Sequence, residues 1–180
     1  MNGNLAFPLA GGRLSNRAKV EWRRFHHESD YITTTVGGAP VSGLFTVFED
    51  ESPEYEIAAD YDRDFGPWAM SLVALHTWDK YESEEFAELR DAVDAFVRAD
   101  VQQLENIATE TILRAAFSRS YGAPHRIEFG AEGAFNTLDA NLRFTRDNGG
   151  GPVLIPIPNS NVLIEEERAE LFGVYTWRPN

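Results

Sequence analysis

The side chains that could carry chemistry in this chain are few and dispersed. His26 and His27, followed by Glu28 and Asp30, are of metal-ligating type. Adjacent histidines point to opposite faces of a strand and stand about 100° apart on a helix, so the two cannot easily share one ion. A third ligand would have to come from His76 or His125. Asp60, Asp62 and Asp64 alternate within an acid-rich stretch, but counted from Asp60 the sixth and twelfth positions are Phe65 and Ser71. A calcium-binding EF-hand loop needs glycine and glutamate there. Nothing selects a catalytic carboxylate pair from 29 acidic residues. Ser42 precedes Gly43 outside a nucleophile-elbow motif, Ser118 and Ser120 flank Arg119, and the glycines at 37–38, 130–133 and 149–151 have neither phosphate-loop spacing. The absence of cysteine removes disulfides, zinc–thiolate sites and thiol nucleophiles together. The inventory predicts no catalytic, metal-binding or cofactor-binding residues, hence a non-enzyme without a cofactor. The one cleft it allows would gather His76, Tyr121, His125 and Arg126 beside Phe117, where a helix meets the next strand. With that cleft the chain would be a small-molecule-binding or hydrolytic α+β domain.

The elements that must position these residues are organised around Ser83 to Ser118. Apolar residues recur there at helical spacing, through Phe86, Leu89, Val93, Val97, Val101, Leu104, Ala108, Thr111 and Ala115. Ser83 can cap such a helix, with Glu84 and Glu85 in its first turn. Asp100 followed by Gln103 resembles a capping box, so the segment is one rod of about 50 Å or two helices broken near Arg98 to Asp100. Before it, Trp68 to Trp78 alternates Trp68, Met70, Leu72, Ala74, His76 and Trp78 against Ala69, Ser71, Val73, Leu75 and Thr77. Both sets are largely apolar, which predicts a strand in mid-sheet covered on both sides. Tyr31 to Val36 and Gly43 to Glu49 read as a hairpin around Gly37, Gly38 and Pro40, Glu54 to Tyr61 as an acidic strand, and residues 62–67 as a turn. Further strands are expected at His125 to Phe129, Leu138 to Thr145, Val153 to Ile157, Val162 to Ile164 and Glu170 to Trp177. Residues 1–15 form an extended arm whose Leu5, Phe7 and Leu9 alternate and could add a strand to a neighbouring sheet. The fold class expected is α+β: an antiparallel or mixed β-sheet packed against one long or broken amphipathic helix, with the arm at 1–15 and a single domain over 16–180.

A chain of 180 residues that is 43% hydrophobic can fill a core, which argues against disorder. Its formal charge of -13 disfavours binding to duplex DNA through counterion release, while leaving passage of DNA past an acidic surface open. No apolar run approaches the roughly 20 residues of a membrane-spanning helix, and the opening MNGNLAFPLAGGRL lacks the pattern of a signal peptide, so no membrane and a cytoplasmic location are expected. Charge is segregated along the chain. Arg13, Arg17, Lys19, Arg23 and Arg24 make the N-terminal region basic; Glu49, Asp50, Glu51, Glu54, Glu56, Asp60, Asp62 and Asp64 make the next region acidic. Either these are solvated loops, or the basic arm of one subunit lies on the acidic edge of the next in a head-to-tail ring. The second reading makes Arg13, Arg17, Arg23, Arg24, Glu49, Asp50, Glu51 and Glu54, with Trp22, the inter-subunit contacts.

The segment from Trp68 to Val97, WAMSLVALHTWDKYESEEFAELRDAVDAFV, resembles the strand-then-helix part of tail terminator (tail completion) proteins of tailed phages, and the final ELFGVYTWRP is similar to that family's closing strand. The resemblance covers about 40 residues, and the stretches Asp100 to Ser118 and Gly149 to Ile164 have no counterpart in it. It implies a non-enzymatic virion subunit at the head–tail joint, assembled in the host cytoplasm. Such a subunit self-associates as a hexameric ring, contacts other virion proteins and lets DNA pass without sequence-specific binding. A capsid or decoration subunit is the remaining alternative.

Overall fold

The structure is a computed structural model and describes residues 1–122 and 124–178. Among these residues there is no helix. Eight strands run in chain order: β1 (Asn2–Leu9), β2 (Gly12–Thr34), β3 (Pro40–Phe65), β4 (Trp68–Asp91), β5 (Phe96–Tyr121), β6 (His125–Asp147), β7 (Val153–Leu154) and β8 (Asn161–Trp177). Each pairs antiparallel with the strand before it, except that β7 and β8 both lie along the free side of β6, β8 against residues 125–141 and β7 against Thr145 and Arg146. The result is one up-and-down sheet of all-antiparallel pairs.

The expected α+β fold is therefore corrected to all-β. The segment read as a long helix is the upper end of β4, a tight turn, and β5. Asp91 closes the turn: its carboxylate accepts the backbone N–H groups of Val93 and Ala95, each at 2.9 Å, while Asp94 takes φ 65°. Spacings of three and four along a strand send Phe86 and Leu89 to opposite faces, so the apparent helical stripe was never one surface. From Ile107 onward an equally good period of two runs through Leu113, Ala115 and Phe117, and backbone pairing to β4 and β6 on either side decides in its favour. The proposed cap and capping box likewise lie within strands, at Ser83 in β4 and at Asp100 and Gln103 in β5.

Most other strands fall where the pattern puts them but run further; the one expected at Val153 to Ile157 is only β7, those at 162–164 and 170–177 are one strand, β8, and residues 62–65 of the expected turn belong to β3. The hairpin at Tyr31 to Glu49 is the far end of β2 and β3, Trp68 to Trp78 is the first half of β4, and the strands expected at 125–129 and 138–145 are one strand, β6. The N-terminal arm is β1, held on β2 of its own chain, with Met1 bonded to the Val20 carbonyl at 2.6 Å. Connections are short at one end of the sheet. There Ala10 (φ 48°) and Gly11 (φ 79°) form a two-residue turn of the left-handed kind that suits hairpin twist, and Gly66-Pro67 joins β3 to β4. At the other end lie residues 35–39, 92–95 and 148–160; we call the two the turn end and the loop end.

Among the described residues the sheet has no second layer: Ala58 and Ala134 are the buried apolar residues there, and no large side chain is fully buried. The accessible surface is 12441 Å², whereas a compact monomer of 20.2 kDa exposes about 8,800 Å².

Packing is tight around Gly130. A Cβ there would collide with the Ala115 carbonyl oxygen and come within 2.5 Å of the Phe172 ring, which lies across the glycine beneath the Arg114 guanidinium, 4.5 Å from its centroid. At Gly133, three residues on, a Cβ meets nothing closer than 3.7 Å. Gly130→Ala should therefore destabilise the fold by on the order of 1–3 kcal/mol, and Gly133→Ala by under about 1 kcal/mol, in denaturant unfolding curves.

Candidate functional site

The register between neighbouring strands is constant over most of their length, with shifts only at Thr33/Thr34 and Leu89/Arg90 near the loop end. Directly opposed residues share a face, so two continuous surfaces can be followed from β1 to β8.

One surface carries all four tryptophans of the chain: Trp22, Trp68, Trp78 and Trp177. Toward the turn end it forms an apolar band. Its body is Leu14, Ala18 and Val20 on β2, Ile57 and Ala59 on β3, Met70, Leu72 and Ala74 on β4, Leu113, Ala115 and Phe117 on β5, Ile127, Phe129 and Phe135 on β6, and Leu171 on β8. These side chains face outward uncovered: Leu171 is 88% and Trp22 69% exposed. Aromatics concentrate at its two rims. Tyr55 stacks on Trp78 at 5.3 Å on the loop side, and Trp68 meets Phe129 edge-on at 5.7 Å on the turn side, near Tyr121, Tyr175 and Trp177. Two pairs of polar groups inside the band meet across strands: His76 Nδ1 with Thr111 Oγ1 at 2.9 Å, and Thr109 with Thr137 at 2.6 Å. Arg63 and Arg119 sit at the turn-side rim with their guanidinium groups over Phe65 (4.4 Å) and Tyr121 (4.5 Å). On β8 the band is shorter, starting at Ala169 below Glu165 and Glu167.

The opposite surface at the same level is polar and ion-paired. Arg17 meets Glu56 at 2.9 Å, Lys19 meets Glu54 at 2.9 Å, and Glu132 bridges Arg114 (3.6 Å) and Arg168 (3.3 Å). Glu54 and Glu21, by accepting from the Lys19 ammonium, hold it above its ordinary pKa. Beyond the band, toward the loop end, the tryptophan surface becomes charged too: Arg24 approaches Glu51 at 3.8 Å, His26 contacts Glu49 at 2.8 Å and Glu28 at 3.2 Å, and Lys80 contacts Glu82 at 2.6 Å and Glu105 at 2.9 Å. Those carboxylates raise the His26 pKa, Glu49 contributing most.

The residues read as inter-subunit contacts all lie on the paired strands β2 and β3, where the basic and acidic regions meet within one chain. Arg17, Arg24, Glu51 and Glu54 take partners there; Arg23 lies 3.8 Å from Glu21, Arg13 stands opposite Asp62, Glu49 holds His26, and Asp50 stands opposite Phe25. Trp22 belongs to the apolar surface. The cleft drawn from His76, Tyr121, His125 and Arg126 is not assembled. His76 is paired with Thr111, ten residues along β5 from Tyr121, or about 33 Å. His125 stacks on Tyr175 and bonds its hydroxyl at 2.6 Å, and Arg126 bonds Ser118 and Glu128, both at 3.2 Å. His26 and His27 point to opposite faces, His27 being bonded to Ser29 at 2.6 Å, and among the described residues no three metal-ligating side chains converge. The expectation of separate apolar layers on both faces of Trp68 to Trp78 missed the site itself, because β4 read alone is apolar on both sides. Its neighbours on one face, Glu56, Asp60 and Arg114, are charged.

At the loop end Asp100 accepts two bonds from Arg146, at 2.7 and 3.1 Å, and this guanidinium holds the carboxyl below its ordinary range. A depressed folded pKa contributes stability above the unfolded value near 4, lost as pH falls through the folded value. Asp100→Asn should cost about 1 kcal/mol at neutral pH, with the difference from the parent chain shrinking in unfolding curves as pH is lowered below the ordinary carboxylate range.

No protein-family model matches the chain, and comparison with curated proteins finds no match.

Proposed function

We propose that this chain forms a section of the wall of a membrane-spanning β-barrel, with the tryptophan surface toward lipid acyl chains and the ion-paired surface toward an aqueous interior. The observation that carries the proposal is the co-occurrence, at one level of the sheet, of a predominantly apolar band on one face, rimmed by aromatics with Arg63 and Arg119 at its turn-side rim and cut short by Glu167 on β8, and ion pairs on the other. From Trp68 to Trp78 the band spans ten residue steps, about 33 Å along the strand, and at the typical tilt of about 35–45° its height is about 25 Å. That is the height of the lipid-facing band of such barrels. Backbone groups inside the sheet are satisfied by strand pairing, as a medium without water requires.

The sequence-based expectation of no membrane used the length of a spanning helix; a spanning strand needs only about 9–11 residues with alternate positions apolar. The ring-subunit reading rested on a strand followed by a helix at Trp68 to Val97, and those residues form β4, a turn and the start of β5. The wall takes its place because it gives the uncovered apolar surface a solvent.

The four tryptophans supply the test. The chain diluted from urea into phosphatidylcholine vesicles should float with them, and bromines on the acyl chains should quench most tryptophan emission while iodide in the water quenches little. A water-soluble oligomer by light scattering, with unquenched tryptophans, overturns the wall and returns the ring. Within folded, vesicle-bound protein, Leu113→Arg in mid-band should cost about 2–4 kcal/mol in denaturant unfolding, and Ser71→Arg on the opposite face under about 1 kcal/mol.

A further inference from the structure

Both long edges of the sheet are without a partner among the described residues: the outer side of β1 at one edge and of β8 at the other. Eight strands of which two, β7 and β8, share one side of β6 make seven columns. Because every pair is antiparallel, columns alternate in direction. β2, β4 and β6 run from the turn end to the loop end, and β1, β3, β5 and β8 run back. An odd count therefore leaves both edge strands pointing the same way. Bringing β8 round to β1 would create a parallel pair in a sheet that has none. Two copies standing the same way up in a membrane would meet through the same parallel pair.

Resting on the wall reading, we propose that each edge binds an added strand that runs from the turn end to the loop end, opposite to β1 and β8. The partner's alternate residues are apolar where they flank Ala169, Leu171, Tyr175 and Trp177, and polar where they flank Arg168 and Glu170. The lipid-facing part of β8 fixes this chemistry. Its outward residues end in Tyr175 and Trp177 at the rim, and the opposite face carries Arg168 and Glu170, 3.3 Å apart. A backbone edge left open at that level has no water to satisfy it, so strand addition is the way to close it. Closure through antiparallel pairs alone then takes an odd number of added columns. One copy of this sheet, or several standing the same way up, cannot close without them.

A probe of the required kind is a synthetic peptide with the β6 sequence 125–141, which already pairs with the inner side of β8. The protein is the full chain in vesicles, with β6 tied to β8 by oxidising Gly133→Cys and Ala169→Cys, opposed residues in a chain otherwise free of cysteine. The tie leaves the outer side of β8 as the edge the peptide can use there. A photoreactive benzophenone is placed at the first or the last residue of the peptide, and the labelled positions are read by mass spectrometry. An opposed strand puts the first residue beside Tyr175 to Trp177 and the last beside Asn161 to Leu163, each favoured by on the order of tenfold over the other end. The reverse pattern, equal labelling of both ends, or no labelling above a scrambled peptide overturns the edge assignment. The same sample's bromolipid quenching separates the two failures. Quenched tryptophans with disordered labelling refute the edge alone, whereas unquenched tryptophans refute the wall and the edge with it.

Discussion

Everything else in this molecule depends on cross-strand registers that hold almost without slippage from the turn end to the loop end. Side chains alternate along a strand, so a one-residue slip would send a strand's entire outward set to the other face. Over the band there is no such slip, and the two irregularities lie near the loop end, at Thr33/Thr34 and Leu89/Arg90. That constancy is why residues as distant in sequence as Trp22 and Trp177 share a surface, and why Arg114, Glu132 and Arg168, from three strands, form one ion-paired cluster on the other. It also explains the placement of small residues. Gly130 is empty of side chain because the Phe172 ring occupies the space its Cβ would need.

A single sheet of this size cannot be held together by a buried core, since it has almost none. Its cohesion comes from backbone pairing, from cross-strand side-chain pairs, and from whatever medium receives the apolar band. Some polar residues within that band pair across strands: His76 Nδ1 is bonded to Thr111 and Thr109 to Thr137, which lowers the cost of placing them among apolar side chains. On the ion-paired surface, opposite charges on adjacent strands replace the solvation that a lumen gives only in part. Individually such half-exposed pairs contribute little, and their larger effect is to fix which strand lies beside which.

Much of this was legible in the sequence at the level of single hairpins. The alternation of Trp68 to Trp78 and the hairpin after Tyr31 are local signals with a local cause, and they lie where the chain's own pattern puts them, whereas the turn expected over residues 62–67 shrinks to Gly66-Pro67 because Asp62 to Phe65 pair with β4. The helix at 83–118 was misread because Phe86, Leu89, Val93 and Val97 happen to stand at helical intervals while a loop-end turn interrupts them; nothing local separates a turn at Asp91 to Ala95 from a helix continuing through it. The segregated charges of residues 13–24 and 49–64 were read as two surfaces of different subunits, yet they are neighbouring strands of one hairpin, and the loop between them at residues 35–39 was the clue. The apolar band was beyond reach from one strand. It exists only as a sum over six strands, each contributing a few outward residues.

Where each face changes character is the feature that the wall reading accounts for. The ion-paired face carries charge pairs at both ends, Arg17 with Glu56 near the turn end and Asp100 with Arg146 near the loop end, with apolar side chains such as Ala58, Leu75 and Phe48 between them. The tryptophan face is mainly apolar up to the rim at Trp22, Tyr55 and Trp78 and charged immediately above, at Arg24, Glu51, Lys80 and Glu82. A covering layer of protein would make a patch bounded both along and across the strands, matching the outline of the partner. On β2 to β4 this boundary runs across the strands with the rings of Trp22, Tyr55 and Trp78 along it, and on β8 it steps down to Ala169; with the aromatics of the turn side it has the outline that a slab-shaped apolar medium with two interfaces would favour. The strands overrun that slab, since the band takes eleven residues, Trp68 to Trp78, of the 24 in β4. The remaining length carries charged and apolar side chains on both faces, Lys80, Glu82 and Phe86 on one and Ser83, Glu85 and Leu89 on the other, so on the wall reading the same backbone ladder would serve two solvents.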